Sequence, residues 1–219
     1  MISIRQATEA DLAGIIKVEQ SWPEDGRASP DKFIARLTKF PQGFFLACVH
    51  DKSGSEQIVA TITTMPLHYS PNTISTFKSW DVVTHNGYLP DSNPHYCNAI
   101  YIISGVIDSE YRGGNIFSPM VLREAALAQA LGMRYVLAGA VIPGYKKFYD
   151  THQQTSAFDY CRTRRGKHLV DPLLAMYESI GFSVPDEHHV LAEYYPDDAS
   201  RNFAALVVRD LLTNPLNTS

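Results

Sequence analysis

The feature that most constrains this chain is a turn with two adjacent glycines between a strand-like run and a helix-like run. Residues 98–107 are nearly continuously apolar, which is typical of a strand that is buried on both faces of a sheet. The apolar periodicity of a helix begins near Phe117, directly after the turn. This order places free backbone N–H groups at the positive end of a helix dipole, and such a point binds anions, above all phosphates.

The overall composition narrows the classes of protein to which the chain can belong. It has 219 residues, of which 45% are hydrophobic, enough for one large domain or two small ones with a full core. The formal net charge of −4 argues against a nucleic-acid partner. No apolar run approaches the ~20 residues that span a bilayer, and the N-terminus has no secretory signal pattern. We therefore expect a cytoplasmic protein with no membrane partner.

The cysteines favour a reducing compartment over a disulfide framework. Cys48, Cys97 and Cys161 are far apart in sequence, odd in number and without Cys-x-x-Cys spacing. This pattern predicts reduced thiols and no metal site.

The periodicity predicts one mixed α/β domain over residues 1–219. A strand at residues 2–5 precedes a first helix, and Thr8 and Asp11 form a capping-box-like N-terminus for that helix. A second helix begins at Pro30. By the crossover rule, the strand after the helix at Phe117 should run parallel to the strand before it. The other predicted elements are strands at residues 43–49, 58–65, 98–107, 134–141, 182–184, 190–195 and 203–210, and helices at residues 117–131 and 172–181.

Two long segments interrupt this order. Residues 67–97 have little periodicity and many Pro, Asn, Ser, His and aromatic residues, so we expect a long loop or a partly ordered insertion. It lies just before the central strand and could form a wall of a substrate pocket. Residues 143–170 form the second insertion, with a helix expected around residues 156–165.

The residues of the turn suit a ligand with two linked phosphates. Gly113 and Gly114 allow positive φ angles and a close approach of the backbone to the ligand. Arg112 can add a charge-assisted hydrogen bond. Asn115 is of the non-glycine type that best tolerates left-handed geometry. The alternative interpretation is a glycine-rich connection that binds no ligand.

Two segments together resemble the GNAT acyltransferases, a family that uses acetyl-CoA. In the turn the family has Arg or Gln, two free positions, Gly, one free position, and then Gly or Ala. This chain has Arg112, Asn115 and Phe117 at those places, so Arg112 and the preceding aromatic Tyr111 match, whereas Asn115 and Phe117 depart from the pattern. The second segment, Ala-Met-Tyr-Glu-Ser-Ile-Gly-Phe at residues 175–182, is a short helix stopped by glycine.

The resemblance implies the GNAT fold, an α/β fold in which a mixed central sheet has splayed parallel strands 4 and 5 and helices on both faces. It implies that acetyl-CoA binds between these strands and at the turn. Backbone groups near Val106 and Ile107 would pair with the pantetheine arm, and Gly105 is consistent with a bulge in the same strand. The residues implied to hold the coenzyme are Val106, Ile107, Arg112, Gly113, Gly114, Asn115, Ile116, Phe117 and Ser118.

Tyr177 matches the position at which GNAT enzymes commonly have a tyrosine, on the short helix that ends at Gly181 and Phe182. The resemblance implies that this phenol lies near the sulfur of the coenzyme and protonates the departing thiolate as a general acid. The alternative is that Tyr177 is a half-buried aromatic residue that packs the helix against the sheet.

Further segments are similar to a GNAT subgroup that is found fused to nitrilase-like domains or used as loading modules in polyketide synthases. They are Ile142-Pro-Gly-Tyr145, Asp171-Pro172 and Tyr195-Pro-Asp-Asp198. Loading modules that handle malonyl thioesters have a histidine where this chain has Tyr177. The resemblance therefore implies ordinary acyl transfer rather than decarboxylation.

The sequence does not identify the general base. Residues 96–101 of the central strand contain no Asp or Glu, although many relatives have a carboxylate there. His168 beside Asp171 could form an imidazole–carboxylate pair, and Trp80 and Tyr101 could line the pocket or fill the core. The polar residues to consider first, each of which could instead be solvated or structural, are Glu19, Asp81, His85, His95 and Asp171.

Three functions agree with these features. The first is N-acetylation of a small-molecule amine by direct transfer from acetyl-CoA. The second is S-acyl transfer onto the thiol of a carrier protein, for which Arg162, Arg164, Arg165 and Lys167 could form a docking face or simply a solvated loop. The third is binding of CoA without catalysis. We expect a monomer or a homodimer.

Overall fold

The computed structural model describes residues 2–152 and 155–216 of the chain, so residues 153–154 of the second predicted insertion lie outside the described residues. The strands are β1 (Ile2–Gln6), β2 (Phe44–His50), β3 (Glu56–Leu67), β4 (Ala99–Ile107), β5 (Tyr135–Val141), β6 (Arg164–Arg165), β7 (His168–Leu169), β8 (Val190–Leu191) and β9 (Ala204–Asp210). The helices are α1 (Leu12–Glu19), α2 (Pro30–Lys39), α3 (Trp80–Thr84), α4 (Phe117–Ala130), α5 (Tyr145–Thr151), α6 (Ala157–Arg162) and α7 (Pro172–Ser179).

Seven strands in the described part of the chain form one mixed sheet, in the order β1-β2-β3-β4-β5-β9-β8. Neighbouring strands are antiparallel, except for the parallel pair β4 and β5. Helix α4 connects β4 to β5, as a parallel crossover requires. The short strands β6 and β7 form a separate hairpin. The predicted mixed α/β sheet with parallel strands 4 and 5 is confirmed.

Helices cover both faces of this sheet, as predicted. On the face that we call the α1 face, Ile15 of α1 and Phe33 of α2 pack with Phe44 of β2. On the opposite face, which we call the α4 face, Met120 of α4 packs in one core cluster with Ile100 of β4. The sheet is therefore buried on both faces at β4, which explains the nearly continuous apolar run there.

The segment at residues 67–97 is more ordered than the sequence predicts. It contains α3, a kinked 3-10 segment at Pro71–Thr76 and a single 3-10 turn at Pro94–Tyr96. Ile74, Phe77 and Leu89 are buried together against the α1 face. Their spacing is irregular, so periodicity does not reveal that they belong to the core.

The second insertion contains a helix, α5, that the sequence analysis missed, in addition to the predicted helix, which is α6. Tyr145 at the start of α5 packs its ring 5.4 Å from that of Tyr160 in α6 and 5.6 Å from that of Phe203. Helix α5 spans 7 residues, and so short a helix shows little apolar periodicity.

Two predicted strands near the C-terminus were wrong in extent. The strand predicted at residues 182–184 is reduced to an isolated bridge between Ser183 and Val208. The strand predicted at residues 190–195 ends at Leu191, because the following residues turn over the α1 face instead of continuing the ladder. None of the described helices has the length and apolar character that crossing a bilayer requires.

Candidate active site

The parallel strands β4 and β5 pair only at their beginning. Their ladder ends at the pair Ile102 and Ala138, and each strand then continues with a partner only on its other side, β3 or β9. Among the residues that the structure describes, the facing edges of residues 103–107 and residues 139–141 therefore have no partner strand. We call this gap the fork; it is the splay predicted between strands 4 and 5.

A bulge in β4 lies at the beginning of the fork. The register with β3 skips Ile103, and the indole Nε1 of Trp80 donates a hydrogen bond of 2.8 Å to the Ile103 carbonyl oxygen. The sequence analysis associated the bulge with Gly105, whereas the structure places it at Ile103. Gly105 itself is in register with Ile62. Its lack of a side chain makes room for the ring of Phe117, since a Cβ at Gly105 would lie 2.2 Å from Cε2 of Phe117.

The N-terminus of α4 presents free backbone donors beside the fork. The φ angle of Asn115 is 50°, which confirms that it takes the left-handed geometry, and that of Gly113 is 83°. Residues 112–115 are exposed. Within the described residues, the N–H groups of residues 115–118 donate no hydrogen bond. Because unpaired N–H groups at a helix N-terminus attract negative charge, this turn can hold a phosphate group.

Arg112 ties the turn to the segment that follows α1. Its Nη2 donates to the Ser21 carbonyl oxygen at 2.7 Å, and the backbone N–H of Ser109 donates to Ser21 Oγ at 3.1 Å. The guanidinium stays exposed, so it can bind an anion while it keeps this contact.

Phe117 directs its ring into the fork and away from the turn. The ring lies against Gly105, and its centroid is 6.3 Å from that of Tyr177 in an edge-to-face arrangement. Phe117 therefore leaves the backbone of the turn open and fills part of the α4 face of the fork. Val106 and Ile107 form the β4 edge beside it, with Val106 buried and Ile107 half-buried.

Tyr177 lies on the α4 face of the fork between Phe117 and Phe182. It is 4% exposed, and its ring centroid is 5.1 Å from that of Phe182. Its hydroxyl has no hydrogen-bond partner among residues 2–152 and 155–216, and burial, with a smaller contribution from nearby Tyr101, raises its pKa. The residue is thus more buried than the half-buried packing alternative assumes, yet its phenol group remains free and protonated.

The α1 face of the fork carries a second pair of tyrosines. The hydroxyls of Tyr101 and Tyr194 hydrogen-bond each other over Gly139 of β5. The sequence analysis considered Tyr101 but missed Tyr194, which it assigned to a strand. The useful signal was the Tyr-Tyr-Pro sequence at residues 194–196, because proline so soon after the tyrosines disfavours a continuing strand.

Most of the polar candidates for the acceptor side are not organised for catalysis. Asp81, His85 and His95 are exposed. Asp171 is fully buried, but one of its oxygens caps α7 and the other accepts a hydrogen bond of 3.0 Å from the Tyr160 hydroxyl. His168 is exposed and is not brought to Asp171, so the imidazole–carboxylate pair was a wrong prediction.

Glu19 at the end of α1 differs from these candidates, because its carboxyl is buried and only partly hydrogen-bonded. It is 4% exposed, and its Oε1 accepts a hydrogen bond of 2.7 Å from the backbone N–H of Ala28. Its Oε2 is buried and has no partner in the described part of the chain. Burial raises its pKa, against the opposing effects of the Ala28 N–H and of the Arg36 charge. A buried carboxyl with one free oxygen can accept a proton.

Two surface cavities flank the region without entering the fork. A cavity of about 280 Å³ adjoins the outer side of Tyr177 and is lined also by Leu174 and Arg164. A cavity of about 520 Å³ lies at the other end of the parallel pair, where Tyr69 and Tyr135 line it.

Solved structures similar to this chain define its fold. The loading GNATL domain of CurA from Lyngbya majuscula has a TM-score of 0.79 at 20% sequence identity, covering 97% of this chain and 99% of that one. The GphF GNAT-like decarboxylase, in complex with isobutyryl-CoA, has a TM-score of 0.73 at 19% identity, covering 95% and 99%. The ribosomal-protein-S18-alanine N-acetyltransferase from Escherichia coli has a TM-score of 0.53 at 12% identity, covering 96% and 94%.

No protein-family model matches the sequence, and no curated protein sequence matches it. The structural similarity covers nearly the whole chain, and it confirms the resemblance stated from the sequence at the level of the fold. The mixed sheet, the parallel pair β4 and β5 and the helices on both faces are those of the GNAT fold.

Proposed function

We propose that this chain is an acyltransferase that takes its acyl group from acetyl-CoA and transfers it to a small-molecule amine. The observation that carries the proposal is the row of free N–H groups at residues 115–118, directly beyond the open edge of β4. A diphosphate held there leaves the pantetheine arm next to the backbone of Val106 and Ile107. The thioester would then lie in the fork, between the two pairs of aromatic side chains.

In this proposal, Arg112, Gly113, Gly114, Asn115 and Ile116 hold the diphosphate with the backbone donors of Phe117 and Ser118. Phe117 contributes its N–H group to the diphosphate and its ring to the wall of the fork. All of these residues belong to one continuous segment between β4 and α4, so one ligand can contact them together.

Tyr177 acts in this proposal as the general acid. The amine nitrogen attacks the thioester carbonyl carbon, the carbon–sulfur bond breaks, and the thiolate takes the phenol proton of Tyr177. The proton lost by the amine goes to a base and returns to Tyr177 through solvent. Glu19 is the candidate base, because burial raises its pKa and its Oε2 is free to accept a proton.

A second candidate function is S-acyl transfer onto the thiol of a carrier protein. The observation that favours it is the TM-score of 0.79 with a loading domain over 97% of this chain, a span that includes both insertions. Three exposed basic residues could contact an acidic carrier. They are Arg162 at the end of α6, and Arg165 and Lys167 in the hairpin of β6 and β7. Arg164 is less available, because it pairs with Glu178.

Thermal unfolding with added acetyl-CoA tests the proposal. A ligand at a hundred times its dissociation constant stabilises the folded state by about 2.7 kcal/mol, so the melting temperature should rise with acetyl-CoA concentration. Release of free CoA with a panel of amines and of carrier-protein thiols then separates the two candidate functions. A rise in melting temperature with no release from any acceptor would favour binding without catalysis, and no rise would contradict the proposal.

A further inference from the structure

The fork is bordered by aromatic residues on both faces, and in the described part of the chain only one of these faces has aromatic hydroxyls that hydrogen-bond each other. Phe117 and Tyr177 lie on the α4 face. Tyr101 and Tyr194 lie on the α1 face, where their hydroxyls bond each other.

Gly139 brings the Tyr101 and Tyr194 hydroxyls to the edge of the fork. It is the first residue of β5 beyond the parallel ladder. A Cβ on Gly139 would lie 2.6 Å from the Tyr101 hydroxyl oxygen and 2.5 Å from Cε1 of Tyr194. Only a residue without a side chain allows this approach.

The pair has a surplus donor. Two hydroxyls have two hydrogens, and the bond between them uses one. Whichever way the bond between Tyr101 and Tyr194 runs, one hydroxyl hydrogen is left without an acceptor among the described residues. A donor without an acceptor in a buried position is unfavourable, and an oxygen atom placed in the fork would satisfy it.

We propose that the Tyr101–Tyr194 hydroxyl pair donates this hydrogen bond to the carbonyl oxygen of the bound acyl thioester, an inference that rests on the proposed function. As the acceptor attacks the carbonyl carbon, the π electron pair moves onto the oxygen, and the pair stabilises the resulting oxyanion. When the carbonyl re-forms, the carbon–sulfur bond breaks and the thiolate takes the proton of Tyr177. The hydroxyl pair keeps both of its protons throughout, so it differs in role from Tyr177.

The surroundings of the pair keep both phenols neutral. Burial raises the pKa of Tyr101 to about 12, against the opposing effect of its bond with Tyr194, and burial raises the pKa of Tyr194 well above its ordinary value. A neutral phenol is a donor at physiological pH, whereas a phenolate would repel the oxyanion.

The test uses the double variant Tyr101→Phe/Tyr194→Phe, which retains both rings and removes both hydroxyls. Each single variant keeps one hydroxyl but removes the bond between the two hydroxyls that orients and polarises the donor, so each should show part of the loss expected of the double variant. The matched control is Tyr69→Phe, because Tyr69 is 2% exposed, its hydroxyl bonds His189 Nε2 at 2.8 Å, and it lies at the opposite end of the parallel pair.

Two measurements use acetyl-CoA and free CoA as probes. Wild type and the Tyr69→Phe control should bind acetyl-CoA roughly tenfold more tightly than CoA, because only acetyl-CoA offers the carbonyl acceptor, and the double variant should lose this preference. The infrared carbonyl band of ¹³C-labelled acetyl-CoA should lie at lower frequency when bound to wild type than when bound to the double variant.

The outcomes separate this inference from the proposed function. If the double variant keeps the wild-type preference and carbonyl band, the hydroxyl pair is structural and only this inference falls. If wild type does not bind acetyl-CoA, both this inference and the proposed function are contradicted. If the double variant does not fold, the single variants decide, because a carbonyl band unchanged in both of them contradicts the proposal.

Discussion

The turn at residues 112–118 and the fork adjoin each other, yet they are built in opposite ways. Residues 112–115 of the turn are exposed, and the N–H groups of residues 115–118 have no partner in the described part of the chain. The fork is enclosed by Phe117 and Tyr177 on one face and by Tyr101 and Tyr194 on the other. The turn can therefore receive an anion without rearrangement, whereas the fork accepts only a narrow chain between rings.

If the proposed function holds, this difference gives most of the affinity to the turn and the chemistry to the fork. A hydrogen bond to a charged group contributes about 1.5–3 kcal/mol, so a few backbone donors on a diphosphate can dominate the binding free energy. Under the proposed function, the buried and neutral phenols of the fork would act on a carbonyl or a thiolate at low local polarity, where each donor has more effect on the barrier than on affinity.

The largest effect should come from Tyr177→Phe, which tests the chemical side of the comparison. We expect the acyl-transfer rate to fall about 100-fold or more, because the general acid is removed. The affinity for acetyl-CoA and the melting temperature should stay near wild type, because the hydroxyl has no partner in the described residues. Steady-state rates, with the acceptor found in the panel, are compared with those of the exposed control Tyr88→Phe. A variant with the full wild-type rate would leave Tyr177 with a packing role.

The next effect concerns the fit of Phe117 in the fork. Gly105→Ala alone should lower the free energy of unfolding by about 1–3 kcal/mol, since its Cβ would lie 2.2 Å from Cε2 of Phe117. In a Phe117→Ala background the same change should be nearly neutral. Urea unfolding of the four proteins gives the coupling free energy, for which we expect about 1 kcal/mol or more. Equal losses in the two backgrounds would contradict the contact.

The turn side of the comparison is tested at Asn115. Asn115→Val places a β-branched residue at a φ of 50° and should lower the free energy of unfolding by about 1–2 kcal/mol, with weaker binding of acetyl-CoA. Asn115→Gly should retain both properties, because glycine adopts this geometry freely. Chemical unfolding and calorimetric titration measure the two effects. If valine were tolerated as well as glycine, the left-handed geometry would not be needed for the turn.

The smallest effect on binding is expected from Glu124 of α4, which is fully buried against β3 and accepts a hydrogen bond of 3.0 Å from Thr64 Oγ1. Burial raises its pKa well above the ordinary value of 4.5. Above pH 4.5 the folded state therefore keeps a proton that the unfolded chain releases. The free energy of unfolding falls as pH rises from 4.5 to the raised pKa of Glu124, by at most about 1.4 kcal/mol per pH unit.

Glu124→Gln should remove this dependence and leave the affinity for acetyl-CoA unchanged, whereas the exposed control Glu187→Gln should retain the dependence. Unfolding free energies measured across a pH series give the slope. An identical slope in wild type and Glu124→Gln would show that Glu124 is already ionised in the folded protein.

The sequence predicted the parts of this molecule that rest on long regular patterns. The buried strand β4, the helix α4 and the turn between them follow from a continuous apolar run, two glycines and a helical period. The left-handed Asn115 follows from the conformational preference of one residue type. Tyr177 was recognised through the family resemblance, because nothing in its own neighbourhood separates a catalytic phenol from a packing one.

The parts that sequence reasoning missed depend on contacts between distant segments. Tyr194 meets Tyr101 across 93 positions of the chain, and no local pattern indicates that meeting. The bulge at Ile103 depends on the register of β4 with β3, and the amino-acid composition of β4 does not specify that register. The importance of Gly105 and Gly139 became visible only when the rings that lie against them were known.

The most direct test of the account compares the binding of acetyl-CoA with that of S-acetylpantetheine, which has the same thioester arm and no diphosphate, by calorimetric titration. If the free N–H groups of residues 115–118 hold the diphosphate, acetyl-CoA should bind at least about 100-fold more tightly. Equal affinities for the two compounds, or no binding of acetyl-CoA, would contradict the account.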